Sequence, residues 1–193
     1  MAVDHVPRIC EPRRGLSVDS ETLDGVNAPH PDDPHADKYR QMSALEKIEW
    51  MIETDGFAVE PVPPNPDWDP PRAGYTYTIG FQAHTGFAEV VVFGLTPVAA
   101  RGLIGLVADM LLAGTEIPVG VEVVGLLDND LRCEFAPVDV DEWSPLFSTA
   151  SSWYHGDAFE MVQLIYPDRN GFMPYEPGFD QSKRFAQPVI GRV

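Results

Sequence analysis

The stretch YTYTIGFQAHTGFAEVVVFGLTP, residues 75–97, decides how the chain is read. Tyr, Thr, Ile and Phe crowd its first seven positions, a composition suited to a pleated, half-buried strand. The run AEVVVFGL, residues 88–95, is apolar enough to lie centrally in a sheet. The intervening QAHTG has the length of a hairpin connection. Side chains alternate along a strand, so Tyr75 and Tyr77 share one face and Thr76 and Thr78 the other. Thr96 then stands as a helix N-cap with Pro97 at the first helical position. Leu103, Ile104, Leu106, Val107, Met110 and Leu111 predict a broad buried face on a helix that reaches about Ala113 and stops at Gly114.

Upstream, Ser43 and Glu46 form a capping-box pattern, in which each side chain satisfies a helix-start amide of the other. Leu45, Ile48, Met51 and Ile52 follow at helical spacing, and Gly56 sits where a left-handed cap ends a helix. FAVEPV, residues 57–62, reads as a short strand whose proline places it at an edge. PPNPDWDPPRAG is a Pro-rich loop in which Trp68 either covers a pocket or packs on the rim. Residues 1–40 show no sustained hydrophobic period and read as an extended or disordered arm. Downstream, VGVEVVGLL and LRCEFAPV flank Asp128-Asn129-Asp130 as a hairpin. DEWSPLFSTASSWYHG reads as a shorter helix and FEMVQLIY as a last strand. The whole predicts one α+β domain over residues 41–193: a mostly antiparallel sheet in meander order, with two or three packed helices.

Charge narrows the function. The chain carries 30 acidic against 13 basic side chains, a formal charge of -17. The first 40 residues hold 8 acidic and 5 basic groups and the remainder 22 and 8, so the excess belongs to the globule. An acidic body with no basic stripe repels phosphate backbones and anionic membranes, so neither nucleic acid nor membrane is expected as a partner. Cys10 and Cys133 lie far apart, without a CxxC or Cys/His cluster, so neither a disulfide framework nor a zinc site is expected. No run approaches the ~18 apolar residues of a membrane span, and the N-terminus has no apolar signal core, which predicts a cytoplasmic protein.

Three clusters carry the candidate ligand-binding residues. In the first, His84 sits in the turn after Tyr77 and Thr78, and Glu89 lies five residues on. A tight turn would let the carboxylate orient the imidazole for acid-base work; the alternative is a solvated turn histidine. The second is Trp153, Tyr154 and His155 before Gly156, either pocket wall or core lid with a histidine favourably placed at a helix C-terminus. The third is Gln163 with Asp168, Arg169 and Asn170. PDRNG is a good turn sequence in its own right, whereas a glutamine inside an apolar strand must find partners in a loop or a ligand. There is no GxSxG elbow, P-loop, dinucleotide glycine fingerprint or HExxH. No cofactor can be named from these residues.

The residues Tyr77, Thr78, Gly80, Glu89, Gln163, Pro167, Asp168, Gly171, Pro174, Gln187 and Pro188 resemble the motif positions of a bacterial family, domain of unknown function 4262. The resemblance spans about residues 43–191, with Phe81 where leucine is usual and Ala88 where proline is usual. It adds Gln187 to the candidate residues and implies no general activity, substrate or cofactor. The leading expectation is a cytoplasmic binding or interaction module, or an accessory subunit, with a protein partner or a second copy of itself. The alternative is a small-molecule enzyme or sensor with a pocket around Tyr77, His84, Trp153 and His155.

Overall fold

A computed structural model describes residues 36–67, 71–156 and 158–193, together with Pro29. Of the N-terminal arm, Pro29 and residues 36–40 are therefore within view; the rest, and Trp68, lie outside the described residues. Order begins with α1 (Ala36–Gln41), which buries Ala36 and Tyr39, and continues in α2 (Ala44–Asp55). The Ser43/Glu46 capping box is formed in both directions, and Gly56 closes α2 at φ 87°.

Six strands follow: β1 (Ala58–Val62), β2 (Tyr75–Ile79), β3 (Glu89–Phe93), β4 (Glu122–Val124), β5 (Arg132–Val138) and β6 (Met161–Ile165). They form one sheet in the order β1-β2-β3-β6-β5-β4. Every neighbouring pair is antiparallel except β3 and β6, which run parallel. The fold is thus α+β with a mostly antiparallel sheet. It departs from a meander at one point, because β6 inserts between β3 and β5. β3 and β6 are buried along their whole length, as central strands covered on both faces must be.

The remaining helices are α3 (Phe81–Thr85), α4 (Pro97–Leu112) and α5 (Ser148–Trp153), giving five α-helices among the described residues. One face of the sheet presents Tyr75, Tyr77, Ile79, Val91, Phe93 and Met161 to α2 and α5. The other presents Val59, Val90, Val92, Phe135 and Leu164 to α4. Thr96 caps α4 through the Ala99 amide, with Pro97 in its first turn. Only one side of α4 meets the sheet, through Ala100, Ile104, Val107 and Ala108, so Leu106, expected to be buried, is 53% exposed.

QAHTG does not make a simple hairpin turn. It winds into α3 between Gly80 and Gly86, both left-handed. The Thr85 hydroxyl donates to the Phe81 carbonyl and accepts from the Phe87 amide, which satisfies backbone groups that a bare turn would leave to water. The β2–β3 pairing covers Tyr75–Tyr77 and Val91–Phe93, so the strands part at this end, and the His84 ring packs beside Phe57.

Candidate functional site

Two carboxylates are buried on the face covered by α5. Glu89 opens β3 with no exposed surface. It accepts hydrogen bonds from the Thr78 hydroxyl, the Tyr154 hydroxyl and the Gln82 amide, the last at 3.0 Å. Thr78 in turn accepts from the Val90 amide at 2.9 Å, so its side chain replaces a ladder bond where β2 and β3 part. Gln82 binds in two directions: its amide holds Glu89, and its Oε1 accepts from the Glu160 amide at 2.9 Å. Glu60, on β1, accepts from the Tyr77 hydroxyl at 2.6 Å and the Thr149 hydroxyl at 3.1 Å. Helix α5 and its C-cap thus supply one hydroxyl to each carboxylate.

Burial raises the pKa of Glu89, and the donors from Thr78, Tyr154 and the backbone draw it only part of the way back. Glu60 is raised for the same reason, against the pull of Tyr77 and Thr149. Burial and the neighbouring carboxylates also push the Tyr77 and Tyr154 phenols up, so both remain protonated donors. Such groups resemble catalytic acids, but a catalytic acid must reach a substrate. Glu89 and Thr78 have no exposed surface, and Tyr77 is 1% exposed.

The other expected residues make no hydrogen bond to these two carboxylates. The His84 ring lies over the end of α2, so close that a Cβ on Gly56 would stand 2.2 Å from its Nδ1, and 6.0 Å from the Phe57 ring. Phe57 belongs to the α4 side of the sheet. His155 is exposed at the end of α5, with a left-handed φ of 55°. None of Glu89's hydrogen bonds comes from His84. Trp153 packs edge-on to Tyr154, with ring centroids 4.8 Å apart, and covers Gly80. Because His155 holds a backbone conformation that costs a side-chain-bearing residue energy, His155→Gly is expected to raise stability by roughly 0.5–1 kcal/mol, as read by chemical denaturation.

Gln163 binds the C-terminal segment. It donates to the Pro188 carbonyl at 2.7 Å and accepts from the Ile190 and Gly191 amides at 2.8 and 2.9 Å. Gly191 lies so near β5 that an added Cβ would stand 2.6 Å from that of Ala136. Gln187 accepts from the Tyr166 amide at 3.1 Å. Asp168 accepts from the amides of Asn170, Phe172 and Asp180. Burial works against its charge, but those amides outweigh it and hold the carboxyl below the usual range. Glu60, Gln82 and Thr149 escaped the sequence reading. Glu60 left one signal, a lone charge within an apolar strand.

A profile described as "Domain of unknown function (DUF4262)" matches residues 51–180, and the motif positions from Tyr77 to Pro174 fall inside it. The chain belongs to that family. The match is narrower than the resemblance, since the closing Gln187-Pro188 lies beyond it. No curated protein and no solved structure is significantly similar to this DUF4262 chain.

A separate opening exists in the DUF4262 chain. Where β3 and β6 begin and β5 ends, a cleft of about 800 Å³ is bounded by residues 86–88, 137–141 and 158–162, with Ser151, Gly156, Val119 and Arg192. Its apolar surface comes from Phe87, Val138, Val140, Phe159 and Met161, and its carboxylates are Asp139, Asp141 and Glu160. Glu89 lies immediately behind one wall, its amide bonded to the Glu160 carbonyl at 2.9 Å. None of the candidate residues singled out in the sequence lines this cleft. Among the described residues no three His, Cys, Asp or Glu side chains group as a metal site, and no helix is long and apolar enough to cross a membrane.

Proposed function

We propose that this chain is a non-catalytic, cytoplasmic binding module whose partner is seated in the cleft at the end of the sheet. The observation that carries the reading is the division of labour among its polar groups. Thr78, Glu89, Gln163, Asp168 and Gln187 are all engaged in hydrogen bonds within the chain. A site that must activate a substrate needs groups aimed at open space, and these are not. The cleft has the size and apolar lining of a recognition site. The cytoplasmic assignment rests on Cys133, a buried free thiol, and on the acidic composition. That same charge argues against nucleic acid as the partner.

The test fills the cleft without disturbing the core. Ala158 lines the cleft and is exposed, so Ala158→Trp occupies volume there at little cost in stability. Native mass spectrometry on untagged protein from its own host should show a bound species on the wild type that is lost in Ala158→Trp. A species retained by that variant binds elsewhere and contradicts the reading.

A further inference from the structure

A cation already occupies part of the cleft. The Arg192 guanidinium lies 2.6 Å from Oδ2 of Asp139, and the other Asp139 oxygen accepts from the Glu142 amide at 3.3 Å. The carboxylate is therefore oriented by its own loop, with one oxygen presented to a cation. Asp141 and Glu160 line the same cleft, and Arg192 is the one basic residue of the lining among the described residues. Three carboxylates thus line a cleft that holds one guanidinium among the described residues. The same cleft is lined by the apolar side chains of Phe87, Val138, Val140, Phe159 and Met161.

The backbone carrying Arg192 is held firmly. Its amide donates to the Pro137 carbonyl at 2.8 Å, and Gln163 fixes the two residues before it. The side chain is not held in the same way. It is 74% exposed, and its partner carboxylate is 36% exposed, so the ion pair is a surface one of small net strength. The guanidinium can swing away while the C-terminal segment stays docked.

From these observations we infer that the cleft recognises a protein segment bearing arginine among apolar side chains, and that Arg192 is the internal occupant which the partner's arginine displaces. The inference rests on the reading of the cleft as the binding site. Arginine fits better than lysine because a planar guanidinium meets a carboxylate through two parallel hydrogen bonds, while its stem lies along apolar surface. The formal charge of -17 favours encounter with such a segment over long range.

Fluorescence anisotropy on the full chain tests this with two labelled peptides on one apolar frame, Phe-Arg-Val-Arg and Phe-Glu-Val-Glu. The arginine peptide should bind, weakening with added salt, and the glutamate peptide should not. Asp139→Asn should weaken the arginine peptide by roughly tenfold. Arg192→Ala should tighten it by roughly two- to fivefold, the worth of a surface ion pair no longer in competition. Binding of the arginine peptide that neither substitution alters overturns the inference. Equal binding of both peptides, abolished by Ala158→Trp, also overturns it, while the reading of the cleft stands. Failure of either peptide to bind, alongside a native partner that Ala158→Trp releases, separates the two in the same way.

Discussion

Replacing Glu89 by alanine is expected to remove about 3–5 kcal/mol of folding stability, among the largest losses available from one polar side chain in this fold. Three donors converge on that carboxylate: the hydroxyls of Thr78 and Tyr154 and the amide of Gln82. Deleting it strands them in an interior where Glu89 and Thr78 have no exposed surface. Glu89→Gln keeps the shape and most of the bonds, since the Thr78 hydroxyl has a lone pair left to accept from the new amide, and should cost well under half as much. The isostere also has a signature in pH. Burial raises the carboxyl's pKa in the folded chain, so the folded state binds the proton more tightly than the unfolded one. That contribution is complete below the ordinary carboxylate range and is lost as pH rises through the raised value. The stability of wild type relative to Glu89→Gln should therefore fall as pH increases from about 4.5, the usual glutamate value, toward neutrality. Equilibrium urea unfolding of both proteins across that range measures it.

Gln163→Leu should be nearly as damaging, at roughly 3 kcal/mol, although leucine suits a strand as apolar as β6. The substitution leaves the Pro188 carbonyl and the Ile190 and Gly191 amides without their side-chain partner. The loss is local in its first effect. Native-state hydrogen exchange should show the Ile190 and Gly191 amides exchanging far faster, while those of β2 and β3 keep most of their protection. Because Gln163 fixes the residues just before Arg192, the same variant frees the guanidinium from Asp139 and alters the cleft without touching its walls. A stability change with the two amides still protected would contradict this account of the tail.

These effects explain why the fold could be read from the sequence and the site could not. Strand and helix signals are local: the β-branched runs of β2 and β3, the Ser43/Glu46 box and the Thr96-Pro97 start act over a few residues and appear where they were expected. Sheet order depends on long-range packing, and nothing in FEMVQLIY says that it will insert beside β3. Gln163, an isolated polar residue in an apolar run, did announce a buried hydrogen-bond network, whereas Glu89 was read as a partner for His84. Their partners were illegible because they come from 65 residues away for Tyr154 and 25 to 28 for the C-terminal segment. The connection around His84 was expected to be a hairpin turn, where Gly80 and Gly86 permit a helical one. The cleft left no signal at all. It is the space between three strand ends, and its lining residues are unremarkable one at a time.

The most direct measurement is amide chemical-shift mapping of the full chain on titration with the Phe-Arg-Val-Arg peptide. The account predicts saturable changes concentrated at residues 86–88, 138–141 and 158–162 and at Arg192, with those of α3 around His84 and of the β4 edge left in place. Saturable changes centred on His84, His155 or β4, with residues 138–141 and 158–162 unmoved, would show that the cleft is not the binding site.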